Sequence, residues 1–571
     1  MRRARLLAAT VAALLLPAAP ALAGDPIMPL SEVRSGMQCT GYSVVQGTTI
    51  SAFDAEIVDV IRGDASGRGP RLLIRVSGDA VGATGVGPGF SGSPVYCDGR
   101  NAGAISESLG EYGGDVVLAT PIEAILGTPP DAPAPARASA RHRASPALAR
   151  PLATPLTVSG VSPTLGRALE HAGNRAGRPV LAAPAGPLGT FPPQAMRPGA
   201  AVGVSYSSGD IQVGAVGTVA YTDGDQVWAF GHEFEAAGAR RLFLQDAYVY
   251  RVIDNPVQLA DVATTYKYAS LGHTLGTISN DSSDAVAGRT GALPPSIPVR
   301  VYANDLDTGR KLVSGIRAAD ESRVGLPEGA SPASFIGPLA VTEAASSLLR
   351  GAPGRLTADA CVQIRITGLT RPVRFCNRYV SAFPADEDFV GTANTVAARA
   401  STDVFDALTA VDDYQGTPPR VREVAIRIDI RRGEERAFLR SVKLPERARP
   451  GQKVTARVTM RRARGGRLVR RYPLRIPARL GRGTRTLTFS GTDADVADDG
   501  LLAEIIIGDE KDDGAGDPGP GSLRALAAKI RSIHRYDGVR VRGGFGRRRA
   551  FRDKALRISG RASTSVRITR R

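Results

Sequence analysis

The stretch TGVGPGFSGSPVYCDGRNAGAISE occupies residues 84–107. Its centre is Gly89-Phe90-Ser91-Gly92-Ser93-Pro94. Small residues on both sides of Ser91 allow a tight turn that exposes the hydroxyl and leaves room for a carbonyl group. A serine used as a nucleophile also needs backbone N–H groups aimed at a developing oxyanion. The amides of Gly89 and Ser91 are the natural donors. Around this turn the chain reads as short strands broken by glycine. ISAFDAEIVDVI and RLLIRV precede it, and ATPIEAIL follows as a short helix with Pro121 in its first turn. Residues 24–128 therefore read as a small β-barrel.

A serine of this kind is weak without a base. The chain has five histidines. His142 lies in a charge run, His171 on the polar side of a short helix, and His534 among arginines. His232 ends the apolar run Trp228-Ala229-Phe230-Gly231 and would project from a strand end, which makes it the preferred base. His273, in SLGHTLGT, is the second choice.

The rest of the chain also favours strands. The sequence has 571 residues, 65 Gly, 40 Pro and 43% hydrophobic residues, which excludes a disordered or collagen-like chain. Residues 129–152 (PPDAPAPARASARHRASPALARPL) read as an exposed linker without an apolar period. Residues 153–415 read as a second β-rich region with helical and hairpin additions. One helix follows Ser162-Pro163, with Leu165, Ala168, Leu169 and Ala172 on one face. Another is expected to begin at Pro338 and to stop at Gly351. The alternation in residues 416–571 suggests an accessory β-sandwich with a terminal helix capped by Ser522. In that reading Val424, Ile426, Ile428 and Ile430 face its core.

Arg2, Arg3 and Arg5, the apolar run Leu6–Leu16 and Ala21-Leu22-Ala23 read as a signal peptide over residues 1–23, rather than as a membrane anchor. Export to the cell envelope or the medium is the expectation. No later stretch has the length of a membrane-spanning helix. The four cysteines then read as two disulfides. Cys361 and Cys376 are symmetric about Gly368-Leu369, so a hairpin would place them opposite each other. Cys39 and Cys97 are left to pair. Neither pair has metal-ligand spacing, and the acidic loop at 509–517 lacks the ligand order of an EF-hand, so no metal and no cofactor is expected. The net charge of +18 is compatible with weak attraction to anionic cell surfaces. No aromatic-interleaved basic platform suggests nucleic acid.

The chain resembles the SpoIVB peptidase family, S55, as an exported, actinobacterial-type member. GFSGSP matches the family's nucleophile motif, and AFDAEIVDVI, LLIRV and ATPIEAIL run in the family's order. GTVAYTDGDQVWAFGHEF resembles its histidine segment, and LGTISNDSSDAVAGRTG a segment that follows it. The resemblance implies a chymotrypsin-like double β-barrel and a serine peptidase with Ser91 as nucleophile and His232 as base. Asp79 is the carboxylate nearest to the position it implies, with Asp54 and Asp59 as alternatives. Here Ser91 precedes His232, the reverse of the spore-forming members, so the two barrels are read as permuted. The expected partner is a protein or peptide substrate, the chain's own linker among the candidates. The alternatives are an inactive envelope-binding scaffold and an esterase.

Overall fold

The first barrel is built from β1 (Gln38–Gln46), β2 (Thr49–Ile61), β3 (Arg71–Ser77), β4 (Pro94–Cys97), β5 (Arg100–Leu109) and β6 (Val116–Pro121). The protein is described here by a computed structural model. It describes residues 24–131 and 149–569, except 64–68, 83–84, 110–113, 152–154, 176–178, 185–190, 255–264, 322–329, 350–354, 382–394, 418, 492–518, 535–536, 547–548 and 554. The leader at 1–23, the acidic loop at 509–517 and most of the linker lie outside the described residues.

Period-two burial makes these segments strands: Phe53, Ala55 and Ile57 of β2 point inward, and Asp54 and Glu56 do not. The order β4-β1-β2-β3-β6-β5 closes through β4–β5 pairing. Closure leaves no unpaired edge in the ring. The Cys39–Cys97 disulfide fastens the seam, because these residues are register partners of β1 and β4. Helix α1 (Ile122–Leu126) ends the unit. The short strand β7 (Ala149–Pro151) then pairs antiparallel with Glu107–Leu109 of β5. It lies on the side of β5 that β4 leaves at Ala104, since β6 holds the other side.

The second barrel uses β10 (Ala201–Ser205), β12 (Gln212–Asp223), β13 (Gln226–Ala229), β14 (Gly238–Asp254), β15 (Thr265–Ser282) and β16 (Ala285–Thr290), all antiparallel and closed by β10–β12. β8 (Leu156–Ser159) and β9 (Val180–Ala183) extend it beyond β12. α2 (Pro163–Arg175) buries the four apolar residues expected of it. β12 is buried over almost its whole length, which periodicity alone would not assign to a half-exposed strand. One of its faces fills the barrel and the other meets the first barrel. The two rings give the mainly β, double-barrel architecture.

A third sheet has the order β11-β18-β17-β21-β19-β20. Its strands are β11 (Ser207–Gly209), β17 (Ser296–Asp305), β18 (Lys311–Ala319), β19 (Leu356–Ile366), β20 (Val373–Ser381) and β21 (Val421–Arg432). β21 runs parallel to β17 and antiparallel to β19. The apolar row Val424, Ile426, Ile428 and Ile430 is buried there and not in the C-terminal sandwich expected to hold it. Cys361 and Cys376 are register partners and form the second disulfide. Helix α3 covers Pro332–Leu349, so it starts earlier than expected and carries Pro338 inside. The carbonyl of Pro338 accepts the hydroxyls of Thr342 and Ser401. α4 (Thr395–Asp412) packs on α3, and α5 (Leu523–Ser532), capped by Ser522, packs on α4 and β20. The terminal helix thus joins this core and leaves the sandwich without it.

The C-terminal sandwich has two sheets. One is β25 (Arg467–Arg475), β24 (Lys453–Arg462), β22 (Arg436–Lys443) and β29 (Arg557–Ser559). The other is β23 (Arg447–Ala448), β30 (Arg561–Ile568), β26 (Gly483–Ser490), β27 (Gly538–Gly543) and β28 (Arg549–Arg552). Val454, Ala456, Val458 and Met460 fill its core.

The two disulfides close chain segments of 58 and 15 residues. The chain-entropy model assigns about 4 kcal/mol to the longer closure and about 3 kcal/mol to the shorter. Replacing Cys39 and Cys97 by Ala is therefore expected to lower the urea midpoint more than the same change at Cys361 and Cys376. Equal midpoints would contradict this ranking.

Candidate functional site

Ser91 sits in the turn between β3 and β4, and the four carbonyls from Pro88 to Ser91 are held. Pro88 O accepts Lys267 N at 3.0 Å, Gly89 O accepts Thr218 Oγ1 at 3.1 Å, and Ser91 O accepts Thr218 N at 2.8 Å. Phe90 O accepts both the N–H and the hydroxyl of Ser93, at 2.9 and 2.6 Å. Gly92 N donates to Ile105 O at 2.7 Å. By contrast, the N–H groups of Gly89 and Ser91 donate to no protein acceptor among the described residues. Gly92 adopts φ +88°, and a Cβ there would lie 2.0 Å from Thr218 O and 2.6 Å from Phe230 N. Only glycine allows that approach between the two barrels.

His232 follows β13 through two left-handed residues, Phe230 (φ 71°) and Gly231 (φ 70°). A phenylalanine in this region stores strain, and such outliers cluster at functional sites. The turn is held from three sides. Phe230 N donates to Thr218 O at 3.3 Å, and Thr120 Oγ1 donates to Gly231 O at 2.6 Å. The carboxylate of Asp281 on β15 accepts the N–H groups of Phe234, Glu235 and Ala237 at 2.8 to 3.3 Å. The Cβ position of Gly231 lies 3.2–3.4 Å from Ile105 O, Ala104 O and Ser106 Cβ. The strand that receives Gly92 therefore also receives the histidine turn.

Ser91 is 0% and His232 3% exposed. Neither Ser91 Oγ nor His232 Nε2 has a hydrogen-bond partner among the described residues, so no hydrogen bond joins the two. His232 Nδ1 lies 2.5 Å from its neighbour's carbonyl, Glu233 O. A proton on Nδ1 makes that bond and leaves the lone pair on Nε2. Burial pushes the imidazole below its ordinary range. The Glu233 carbonyl and the charges of Glu107 and Asp281 act against that shift, and Arg71 adds to it.

Asp79, the carboxylate suggested by the resemblance, is exposed in the turn after β3 and is not among the groups acting on the imidazole. Asp54 and Asp59 on β2 are not among them either. Glu107 is buried on β5, two residues beyond Ile105. Its Oε1 accepts Arg71 Nε at 2.8 Å, and its Oε2 has no partner. Sequence reading missed it because one glutamate in a strand carries no spacing signal. His273 finds a carboxylate, with Nδ1 at 3.0 Å from Asp246 Oδ2, and packs on Phe191; among the described residues it has no hydrogen bond or ring contact with the Ser91 turn.

Lys267 was also invisible to spacing arguments. It is buried on β15 under the Ser91 turn, with Nζ 2.7 Å from Ser43 Oγ, 3.1 Å from Thr218 Oγ1 and 4.5 Å from the Phe90 ring centroid. Ser43 Oγ in turn lies 2.8 Å from Ser93 Oγ. Among the described residues no cluster of His, Cys, Asp and Glu is arranged to hold a metal, and no helix is long and apolar enough to cross a membrane. Comparison with family models, with curated proteins and with solved structures returns no match for this chain.

Burial pushes the Lys267 amine down to about 7 from its usual 10.5. Between these values the unfolded chain binds the extra proton, so stability rises with pH across this window and the full penalty holds below it. The shift corresponds to roughly 5 kcal/mol. Lys267→Met is expected to flatten the rise between pH 7 and pH 10 in urea unfolding. An unchanged slope would show that Lys267 is not its source.

Proposed function

We propose that the protein is a serine peptidase that cleaves extended peptides by acyl transfer. The observation that carries this reading is the meeting of Ser91 and His232 turns on one strand, with two undirected N–H groups beside the hydroxyl. In this reading His232 Nε2 takes the Ser91 proton as Oγ attacks the peptide carbonyl. The oxyanion is held by Gly89 N and Ser91 N. The imidazolium then protonates the leaving amine, and water releases the acyl group. The Glu233 carbonyl orients the ring, and Glu107, in place of Asp79, supplies the negative charge that favours the imidazolium.

A peptide substrate is supported by the pairing of β7 with β5. The Ser91 turn and β7 share one side of β5, and a strand added there offers its main chain to the site. β7 belongs to the end of the linker, which makes the chain's own 129–152 segment a candidate substrate. Such a protein would act in the cell envelope or outside it. The two disulfides support an oxidising compartment. Full burial of Ser91 favours a second reading, an inactive scaffold that binds without cleaving.

A fluorophosphonate probe separates the two. The peptidase reading expects labelling of Ser91 in the folded wild type and none in Ser91→Ala. A folded wild type that stays unlabelled, with peptides added to open the site, would favour the scaffold.

The pH profile tests the charges. Because burial outweighs the carboxylates, the acid limb of kcat/KM is expected below the usual histidine value near pH 6.5. Glu107→Gln should move this limb further down and lower kcat at least about tenfold, the effect of roughly 1.4 kcal/mol in the barrier. Asp79→Asn should change neither. A larger loss in Asp79→Asn than in Glu107→Gln would reverse the assignment.

A further inference from the structure

The charge of the chain is not spread evenly. Residues 436–571 hold 34 Lys and Arg against 13 Asp and Glu, whereas residues 1–435 hold 39 against 42. The excess that makes the chain basic thus resides in the C-terminal sandwich.

One face of that sandwich concentrates it. On the β22-β24-β25 sheet the apolar residues point inward, and the alternate positions point out. Lys453 stands opposite Arg475, Arg457 opposite Arg471, and Arg461 opposite Arg467. On the other side of Arg457 stands Lys443 of β22. All seven are exposed. Among the described residues none of their side chains forms an ion pair or hydrogen bond. Like charges directly opposite across strands destabilise a sheet. One further exposed pair, Arg447 opposite Arg567, stands alone on the second sheet of the sandwich, and the third sheet sets arginines against acids. Arg300 and Arg365 share Glu423, and Arg427 meets Asp429. On the opposite sheet of the sandwich, Thr486 stands against Ser565 and Thr488 against Ser563. The opposed cations are thus a local choice whose cost the fold itself does not offset.

We infer that this face of β22, β24 and β25 docks the protein on an anionic phosphate-bearing lipid surface. Three cation rows follow one another at four-residue steps along the strands, about 13 Å apart, with about 5 Å between strands. The positions between them on β24 and β25 are Thr455, Pro473, Thr459 and Val469, so no large side chain rises above the cations. Such a flat field matches a plane of headgroups and gains from every cation within a Debye length of it. The face carries a single half-buried ring, Phe438 of β22 opposite Arg461 and beside Arg440, not the succession of outward rings that stacks single-stranded bases, and among the described residues no helix stands on it to enter a groove, which disfavours nucleic acid. The inference is independent of the peptidase reading.

Sedimentation with vesicles tests it on the full chain. Binding is expected to vesicles containing phosphatidylglycerol, to fall steeply between 50 and 500 mM salt, and to be absent with phosphatidylcholine alone. The triple variant Arg461→Glu, Arg471→Glu, Arg475→Glu converts each row into an opposite-charge pair. It should bind at least a hundredfold more weakly while its melting temperature holds or rises. The control Arg300→Glu, Arg365→Glu, which removes paired arginines elsewhere, should bind as the wild type does. Retained vesicle binding by the triple variant overturns the proposal. So does wild-type binding to free phosphate polymers or to oligonucleotides that outcompetes the vesicles, since either assigns the face to another anion.

Discussion

The contact that Thr218 makes between the two barrels is the one on which the rest of the architecture turns. Thr218 gives its N–H to Ser91 O and its hydroxyl to Gly89 O, and receives Phe230 N on its own carbonyl. Gly92 and Gly217 make room: a Cβ on Gly217 would lie 2.5 Å from the Phe230 ring and 3.0 Å from Ser91 O. One threonine thus ties the serine turn of the first barrel to the histidine turn of the second. A buried backbone group costs free energy when it is left unpaired, so these bonds also set how closely the barrels approach.

Around that contact the polar groups divide into two kinds. The hydroxyls of Ser43, Ser93 and Thr218, with the Lys267 amine, form a closed network beneath the serine turn. Ser91 Oγ, His232 Nε2 and Glu107 Oε2 have no partners. Native interiors satisfy nearly all of their buried polar atoms. These three unsatisfied atoms lie on adjoining segments, and the proposed acyl transfer would use them to receive the reacting group. The strained Phe230 adds to this, since the bonds made by Thr218, Thr120 and Asp281 hold a conformation that the residue would not choose alone.

The division of labour along the chain follows charge. The barrels and third sheet are close to neutral, and exposed arginines such as Arg300, Arg365 and Arg427 meet carboxylates. The sandwich is strongly basic and sets its cations against one another. The proposed peptide substrate and the proposed lipid surface would therefore meet different bodies, one at a buried polar seam and the other at an exposed field.

Much of this was legible before any fold was known. Glycines around Ser91, the apolar run into Gly231-His232, and the symmetric cysteines carry local signals, because turn geometry and hairpin register depend on near neighbours. The barrels were legible as alternation and punctuation. Other features were not. The apolar row of β21 read as part of the sandwich, since alternation identifies a strand but not its sheet. Pro338 read as a helix start, although packing against α4 and the hydroxyls on its carbonyl keep the helix running through it. Glu107, Asp281 and Lys267 are single residues that no spacing to Ser91 or His232 marks out. Their roles arise only when the two closed rings pack together and set β5 beside β13 and β15, because burial and opposed charge are properties of neighbours in space. The sequence by itself determined which residues can turn, alternate and cross-link; the tertiary structure alone decided which of them share a low-dielectric pocket and so act on one another's protons.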